Sequence, residues 1–235
     1  MKTRHIYLIL IITAIGAGLF STWHYIQQNG QSQKNTEPKP VGYEAKPDSL
    51  GWRPLFNGRN LKGWKITNFG PQGPVYVDKS DSSLILGMGD GCTGVTWQKE
   101  FSKTSYEVTL DAMRVRGNDF FCGLTFPIGK EYCTLIVGGW GGTVVGFSNI
   151  DGKDASENFT KQLIAFEKQQ WYHIRVQVKN HKLRAWIDKK MIADIKLKDH
   201  SFSVRPEVRL SRPLGICSWM TTAAIKNVQF RKLIE

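Results

Sequence analysis

The sequence predicts an all-β sandwich of two antiparallel sheets that occupies residues 50–235. Hydrophobic and polar residues alternate over many short stretches, and this period of two is typical of strands with one buried face. Turns rich in Gly, Asn and Asp separate the stretches, and no segment shows a sustained helical face. With 41% hydrophobic and 11% aromatic residues, the chain has ample material for the core of a sandwich.

The predicted strands follow one another to the end of the chain. About a dozen short strands with regular turns are typical of a sandwich or a barrel. A predicted turn at residues 126–130 separates the predicted strands 120–126 and 132–137. The clearest predicted strands are residues 106–115, 120–126, 132–137, 171–178, 181–187, 191–197, 208–210, 214–219 and 224–233.

One stretch is too flexible for the centre of a strand. Residues 138–142 read Gly-Gly-Trp-Gly-Gly. Such a run predicts a loop or a bulge at which another group approaches the backbone closely.

Residues 1–26 predict a targeting segment. Lys2 and Arg4 precede eighteen uncharged residues, Ile6 to Trp23. This length suits a transmembrane helix that acts as a signal anchor, whereas small residues at 14–18 leave a cleaved signal peptide as the alternative. Because flanking cations stay in the cytoplasm, we expect the domain to be extracytoplasmic in both cases, membrane-anchored or secreted. Residues 27–49 are polar and rich in Gln and Pro, which predicts a linker.

The chain is basic, with 32 Lys and Arg against 20 Asp and Glu. The cations alternate through predicted strands and form no block, and no nucleic-acid-binding motif is present. We therefore expect no nucleic-acid partner. A solvated basic surface is one interpretation, and contact with anionic envelope polymers or lipid headgroups is another.

Four dispersed cysteines form no Cys-x-x-Cys pair, so the sequence does not support a zinc ribbon or a thioredoxin-like site. Cys122 and Cys133 flank the predicted hairpin turn. They are either cross-strand neighbours or buried free thiols.

Three segments resemble a known family. Residues 55–64, Leu-Phe-Asn-Gly-Arg-Asn-Leu-Lys-Gly-Trp, resemble the opening signature of the 3-keto-disaccharide hydrolase domain family. Residues 171–178 with 183–188 resemble a pair of strands shared by that family and laminin G-like domains, and residues 224–233 are similar to the family's last strand. Together the segments span nearly all of residues 52–233.

The resemblance implies a concanavalin A-like jelly roll and cleavage, by hydrolysis or β-elimination, of glycosides or disaccharides that carry a ketone at C3. The ketone acidifies the proton on C2, so a general base near C2 and a group that stabilises the enolate oxygen suffice to expel the C1 substituent. A divalent cation or an Arg would serve as that group. The chain departs from the family pattern at Cys133, Leu135 and Cys217, where relatives carry polar residues.

Asp119 and Glu131 are the predicted catalytic acid/base pair, because they lie on opposite sides of the predicted hairpin, and Arg175 is the predicted partner of the enolate oxygen. The alternative is that Asp119 caps a turn and Glu131 is a solvated turn residue. Trp140 between glycines suits stacking on a sugar ring. The other predicted substrate-binding residues are Arg114, His173 and Trp97.

The loop at residues 151–158 is acidic and rich in turn residues. Asp151 and Asp154 would supply oxygen ligands to Ca²⁺ or a similar divalent cation. The spacing fits no EF-hand, and a plain surface loop is the alternative.

Three functions follow from the sequence. The first is an enzyme that acts on 3-keto-glycosides, the second is a non-catalytic glycan-binding module on a membrane tether, and the third is a structural envelope protein that uses its basic face. Carboxylates clustered on one sheet face favour the first, and a groove lined by Trp without them favours the second.

Overall fold

The computed structural model describes residues 46–234. The predicted targeting segment, residues 1–26, lies outside these residues, as does most of the linker predicted at 27–49. Residues 46–234 contain no helix with the length and apolar character that crossing a membrane requires.

Strands dominate the described part of the chain. Two 3₁₀ helices, Leu197–Asp199 and Pro206–Ser211, accompany them. The strands are β1 Arg53–Pro54, β2 Trp64–Ile66, β3 Val75–Asp78, β4 Ser83–Leu86, β5 Cys92–Trp97, β6 Tyr106–Arg116, β7 Cys122–Ile128, β8 Glu131–Gly139, β9 Val144–Ser148, β10 Gln162–Leu163, β11 Trp171–Lys179, β12 Lys182–Ile187, β13 Lys190–Lys196, β14 Gly215–Trp219 and β15 Thr222–Lys232.

The strands form two antiparallel sheets, which confirms the predicted sandwich. The eight-stranded sheet has the order β13-β12-β11-β6-β15-β4-β3, with β1 paired to β15. The seven-stranded sheet has the order β10-β9-β8-β7-β14-β5-β2. The two sheets pack face to face, and their inner side chains form the main core.

The period of two decides which side chains enter that core. Along β11, Tyr172 and Ile174 are buried in the core, whereas the alternate residues His173 and Arg175 face outward. On the other sheet, Phe126 of β7 lies edge-on to Phe147 of β9, with ring centroids 6.0 Å apart. Burial of such large rings supplies most of the stability of a sandwich.

One local prediction was wrong, and the structure decides between the two alternatives for the cysteines in favour of buried free thiols. Residues 208–210 were predicted as a strand but belong to the 3₁₀ helix Pro206–Ser211, which lies on the outer face of the seven-stranded sheet. There the Leu210 carbonyl accepts a hydrogen bond from Thr96 Oγ1 at 2.9 Å. Cys122 and Cys133 are not cross-strand neighbours, because β7 and β8 pair Cys122 with Val137 and Phe126 with Cys133. All four cysteines are buried free thiols.

A row of mostly small residues crosses the outer face of the seven-stranded sheet and leaves that part of the face recessed. Gly94, Cys217, Gly123, Ile136 and Gly146 stand opposite one another across five strands. A Cβ at Gly94 would lie 2.6 Å from the Cβ of Cys217. Because three of the five lack side chains, neighbouring segments pack closely on this face and leave a recess between them.

Candidate functional site

The recess is a pocket of about 220 Å³ on the outer face of the seven-stranded sheet. Strands β8, β9 and β14 supply its floor, and the segments that precede β7, follow β8 and carry the second 3₁₀ helix supply its walls. It is lined by Asp119, Phe120, Thr134, Ile136, Trp140, Ser148, Arg205, Glu207, Val208 and Trp219.

Two indole rings stand at this pocket. Trp140 is 40% exposed, and its backbone has a φ of 47° in the turn that follows β8. Trp219 ends β14 and packs beside Phe120, with ring centroids 6.5 Å apart. Exposed indole faces beside small or apolar groups bind the apolar face of a sugar ring.

Arg114 supports the turn that carries Trp140. Its side chain is 5% exposed, and Nη2 donates to the carbonyl oxygens of Gly138 at 3.1 Å and Gly142 at 2.8 Å. Burial lowers the pKa of the Arg114 guanidinium, although the Asp119 carboxylate opposes this shift. Strand β8 bulges between Val137 and Gly139, as predicted for this glycine-rich stretch. Arg114 thus lies behind the pocket wall and does not line the pocket.

A cluster of ionic side chains forms another wall. Arg205 Nη2 contacts Glu207 Oε1 at 2.8 Å, and Arg205 Nη1 contacts Asp154 Oδ2 at 2.5 Å. The guanidinium lies 5.8 Å from the centre of the Trp140 ring. Hydrogen bonds from Arg205 lower the pKa of Glu207, so Glu207 is a carboxylate at neutral pH. Arg205 and Glu207 were not among the predicted site residues, because an Arg and a Glu two residues apart carry no specific signal in a sequence.

Asp119 brings a second carboxylate to the pocket. Its Oδ1 accepts a hydrogen bond from the Phe120 amide at 2.7 Å, and its own amide donates to Thr221 Oγ1 at 3.1 Å. Within the described residues, no Lys, Arg or His forms an ion pair with Asp119. The structure therefore combines the predicted capping contact with a carboxylate that lines the pocket.

The predicted pair of Asp119 and Glu131 is not formed. Glu131 stands opposite Ile128 at the turn of the β7–β8 hairpin, whereas Asp119 precedes the other end of the hairpin, where Cys122 stands opposite Val137. Glu131 is exposed. Residues on opposite sides of a hairpin are neighbours only where the register pairs them.

The other predicted substrate residues also lie away from the pocket. Arg175 stacks on Trp186, 3.7 Å from the ring centre, on the outer face of the eight-stranded sheet. His173 is on the same face, with Nδ1 2.7 Å from Asp111 Oδ1. Trp97 is 2% exposed, because its ring belongs to the core between the sheets.

The two carboxylates predicted as metal ligands have separate partners. Asp151 Oδ2 contacts His200 Nδ1 at 2.6 Å and its Oδ1 accepts from the Ser201 amide, whereas Asp154 binds Arg205. Across residues 46–234 no group of three or more His, Cys, Asp or Glu side chains is placed to hold a metal ion.

Comparison with solved structures places the domain among galectin-like and concanavalin A-like sandwiches. A carbohydrate-binding module, CBM66 from Bacillus subtilis, is 16% identical, with a TM-score of 0.50 over 74% of this chain and 98% of that chain. A protein of unknown function with a galectin-like fold, also from Bacillus subtilis, is 12% identical, with a TM-score of 0.54 over 78% and 95%. A putative glycosyl hydrolase from Parabacteroides distasonis is 14% identical, with a TM-score of 0.50 over 79% and 95%. At these identities the likeness shows the fold alone.

The family is shown by the sequence itself. The model of the 3-keto-alpha-glucoside-1,2-lyase-like domain matches residues 51–232, and the chain belongs to this family, as the resemblance predicted. The chain is thus a carbohydrate-active domain. No curated protein matches the sequence.

Proposed function

We propose that the pocket cleaves 3-keto-glycosides by removing the proton from C2 of the sugar. One observation carries the proposal. Asp119, a carboxylate that forms no ion pair within the described residues, shares one pocket with the guanidinium of Arg205 and the indoles of Trp140 and Trp219. At about 220 Å³ the pocket is smaller than sites for drug-sized ligands, and its size suits a single sugar ring.

The residues divide the reaction between them. With the sugar stacked on the indoles, Asp119 takes the C2 proton, and the electron pair of the C2–H bond forms the enolate with the C3 oxygen. Arg205 donates hydrogen bonds to that oxygen as its negative charge develops. The enolate then re-forms the C3 carbonyl, a C1=C2 double bond forms as the C1–O bond breaks, and the leaving oxygen takes the proton that Asp119 holds. Addition of water to the resulting double bond completes hydrolysis.

Glu207 and Asp154 have a positioning role in this scheme. Both contact Arg205, and such paired carboxylates hold a guanidinium in a fixed orientation. In this proposal Arg205, and not the predicted Arg175, stabilises the enolate oxygen, and Asp119 acts as the base without Glu131.

A second candidate function is glycan binding without turnover. The observation that favours it is that Arg205 already binds two carboxylates, while much of the remaining lining is apolar, from Phe120, Ile136 and Val208. A pocket of this kind holds the end of a glycan by stacking and by a few hydrogen bonds.

The test compares Asp119→Asn with wild type on a 3-keto-glucoside that carries a chromogenic C1 substituent. General-base catalysis contributes about 10²–10⁴ in rate, so we expect kcat/KM to fall at least about 100-fold. Sugar binding, followed by quenching of Trp fluorescence, should persist. Asp81→Asn is the matched control, because Asp81 is exposed in the β3–β4 turn of the other sheet. Undiminished turnover in Asp119→Asn would remove Asp119 from the mechanism, and binding without release by wild type would establish the second function.

A further inference from the structure

Three lysines form a row on the outer face of the eight-stranded sheet. Lys179 of β11 stands directly opposite Lys182 of β12, which stands directly opposite Lys196 of β13. Directly opposed side chains start about 5 Å apart, and like charges in such positions destabilise a sheet. Lys182 contacts Asp194 at 3.2 Å, whereas within residues 46–234 neither Lys179 nor Lys196 has a carboxylate partner. The repulsion between these lysines therefore lowers the stability of the folded domain, and an anion bound on this face would reduce that repulsion.

A polar network continues from this row across the sheet. Arg184 Nε contacts Asp194 at 3.2 Å, and Arg184 Nη1 donates to Gln177 at 2.9 Å. Gln177 donates in turn to Glu107 at 2.9 Å, and Glu107 also binds Arg231. The network runs from β13 to β15. It fixes the orientation of guanidinium groups that would otherwise move freely.

Indole rings fix the guanidinium groups further. Arg175 lies 3.7 Å from the centre of the Trp186 ring, and Arg231 lies 4.5 Å from that of Trp52. We call this surface the cationic face. We define it by six cations and the two carboxylates that contact them, Glu107 and Asp194, which leaves an excess of four positive charges; Asp111, on the same sheet face, pairs with His173 instead. The cations are Arg175, Lys179, Lys182, Arg184, Lys196 and Arg231.

We propose that the cationic face binds a linear acidic polysaccharide of the polyuronate class. Guanidinium and ammonium groups both bind carboxylates, and the three lysines stand on neighbouring strands about 5 Å apart. The cations extend across several strands of the outer sheet face, which suits an extended polymer better than a small molecule. The face lies on the sheet opposite to the pocket, so the inference does not depend on the proposed catalysis.

The test measures binding of the full chain, in neutral detergent, to immobilised polygalacturonate, with neutral dextran as the reference polymer. The decisive variant is Lys179→Gln with Lys196→Gln, because neither lysine has a carboxylate partner among residues 46–234. At about 0.7 kcal/mol for each exposed contact, the affinity should fall about tenfold. The unfolding midpoint should stay the same or rise, because a repulsive row has been removed. Wild-type affinity should also weaken with added salt.

The matched control is Lys65→Gln with Lys130→Gln, which removes one exposed lysine from β2 and one from the β7–β8 turn, both away from the cationic face. It should bind like wild type. Equal weakening in both double variants, equal binding to dextran, or absence of binding by folded wild type would overturn the proposal. Tighter binding to phosphatidylglycerol vesicles or to duplex DNA than to polygalacturonate would also overturn it, in favour of a membrane or a nucleic acid.

Discussion

Replacing Arg114 by Met tests how the pocket wall is held in place. Met keeps much of the length of the side chain and its apolar contact with Phe121, whose ring centre is 5.1 Å from the guanidinium. It removes the donors to the carbonyl oxygens of Gly138 and Gly142. Both glycines are buried, so water does not readily replace the lost donors.

The expected cost follows from these two carbonyls. A buried polar group left without a partner costs about 1–3 kcal/mol, which gives about 2–6 kcal/mol for the pair. Part of this loss is offset, because the variant no longer has to desolvate the guanidinium of a residue that is only 5% exposed. We therefore expect Arg114→Met to lower the free energy of unfolding by about 3 kcal/mol and to weaken sugar binding, since the Trp140 turn loses its support.

Urea unfolding followed by Trp fluorescence measures the change by linear extrapolation. Arg116→Met is the matched control, because Arg116 lies two residues further along β6 and is exposed. It should change stability by less than about 0.5 kcal/mol. A loss below about 1 kcal/mol in Arg114→Met, or equal losses in the two variants, would refute the idea that the guanidinium holds the turn.

Two further predictions concern the core and acid conditions. Phe126→Ala should lower the free energy of unfolding by about 3–5 kcal/mol in the same urea assay, because the ring is fully buried beside Phe147. The control Phe159→Ala, at a position 63% exposed, should lower it by less than about 0.5 kcal/mol. Similar losses in the two variants would contradict the packing described for Phe126. Hydrogen bonds from Arg205 lower the pKa of Glu207 from its ordinary value of 4.5. The ionised form of Glu207 therefore stabilises the folded state above pH 4.5, and this stabilisation is lost as the pH falls through the lowered pKa. The stability difference between wild type and Glu207→Gln should therefore shrink from pH 7 to pH 3, and a constant difference would count against the linkage.

The sequence predicts the outer strands of the eight-stranded sheet well, because each of them has one buried face and one face in contact with solvent. The pattern fixes the limits of β6 and of the β11–β12–β13 meander within one or two residues, since a shift of one residue would turn the hydrophobic side chains outward. Trp140 was found for a different reason. Four flanking glycines are a strong signal for an irregular turn, and the structure places the indole of Trp140 at the pocket.

The remainder of the site depends on information that a period of two does not contain. Alternation correctly turns His173 and Arg175 outward, but it does not say which of the two sheets bears the pocket. Strand β5 is buried along its whole length, so nothing in its sequence distinguishes the core position of Trp97 from an outward one. Arg205 and Asp119 line one pocket only because the second 3₁₀ helix, which Arg205 directly precedes, lies on the outer face of the seven-stranded sheet.

The back-to-back packing of the two sheets has a consequence for ligands longer than one sugar. The core between the sheets is about 10 Å thick, and the pocket and the cationic face open in opposite directions. An occupant of one face therefore leaves the other accessible, and a single rigid glycan chain cannot reach both without bending around an edge strand such as β10 or β13. With both proposed ligands bound, the domain would join two separate chains and so act as a cross-link between them.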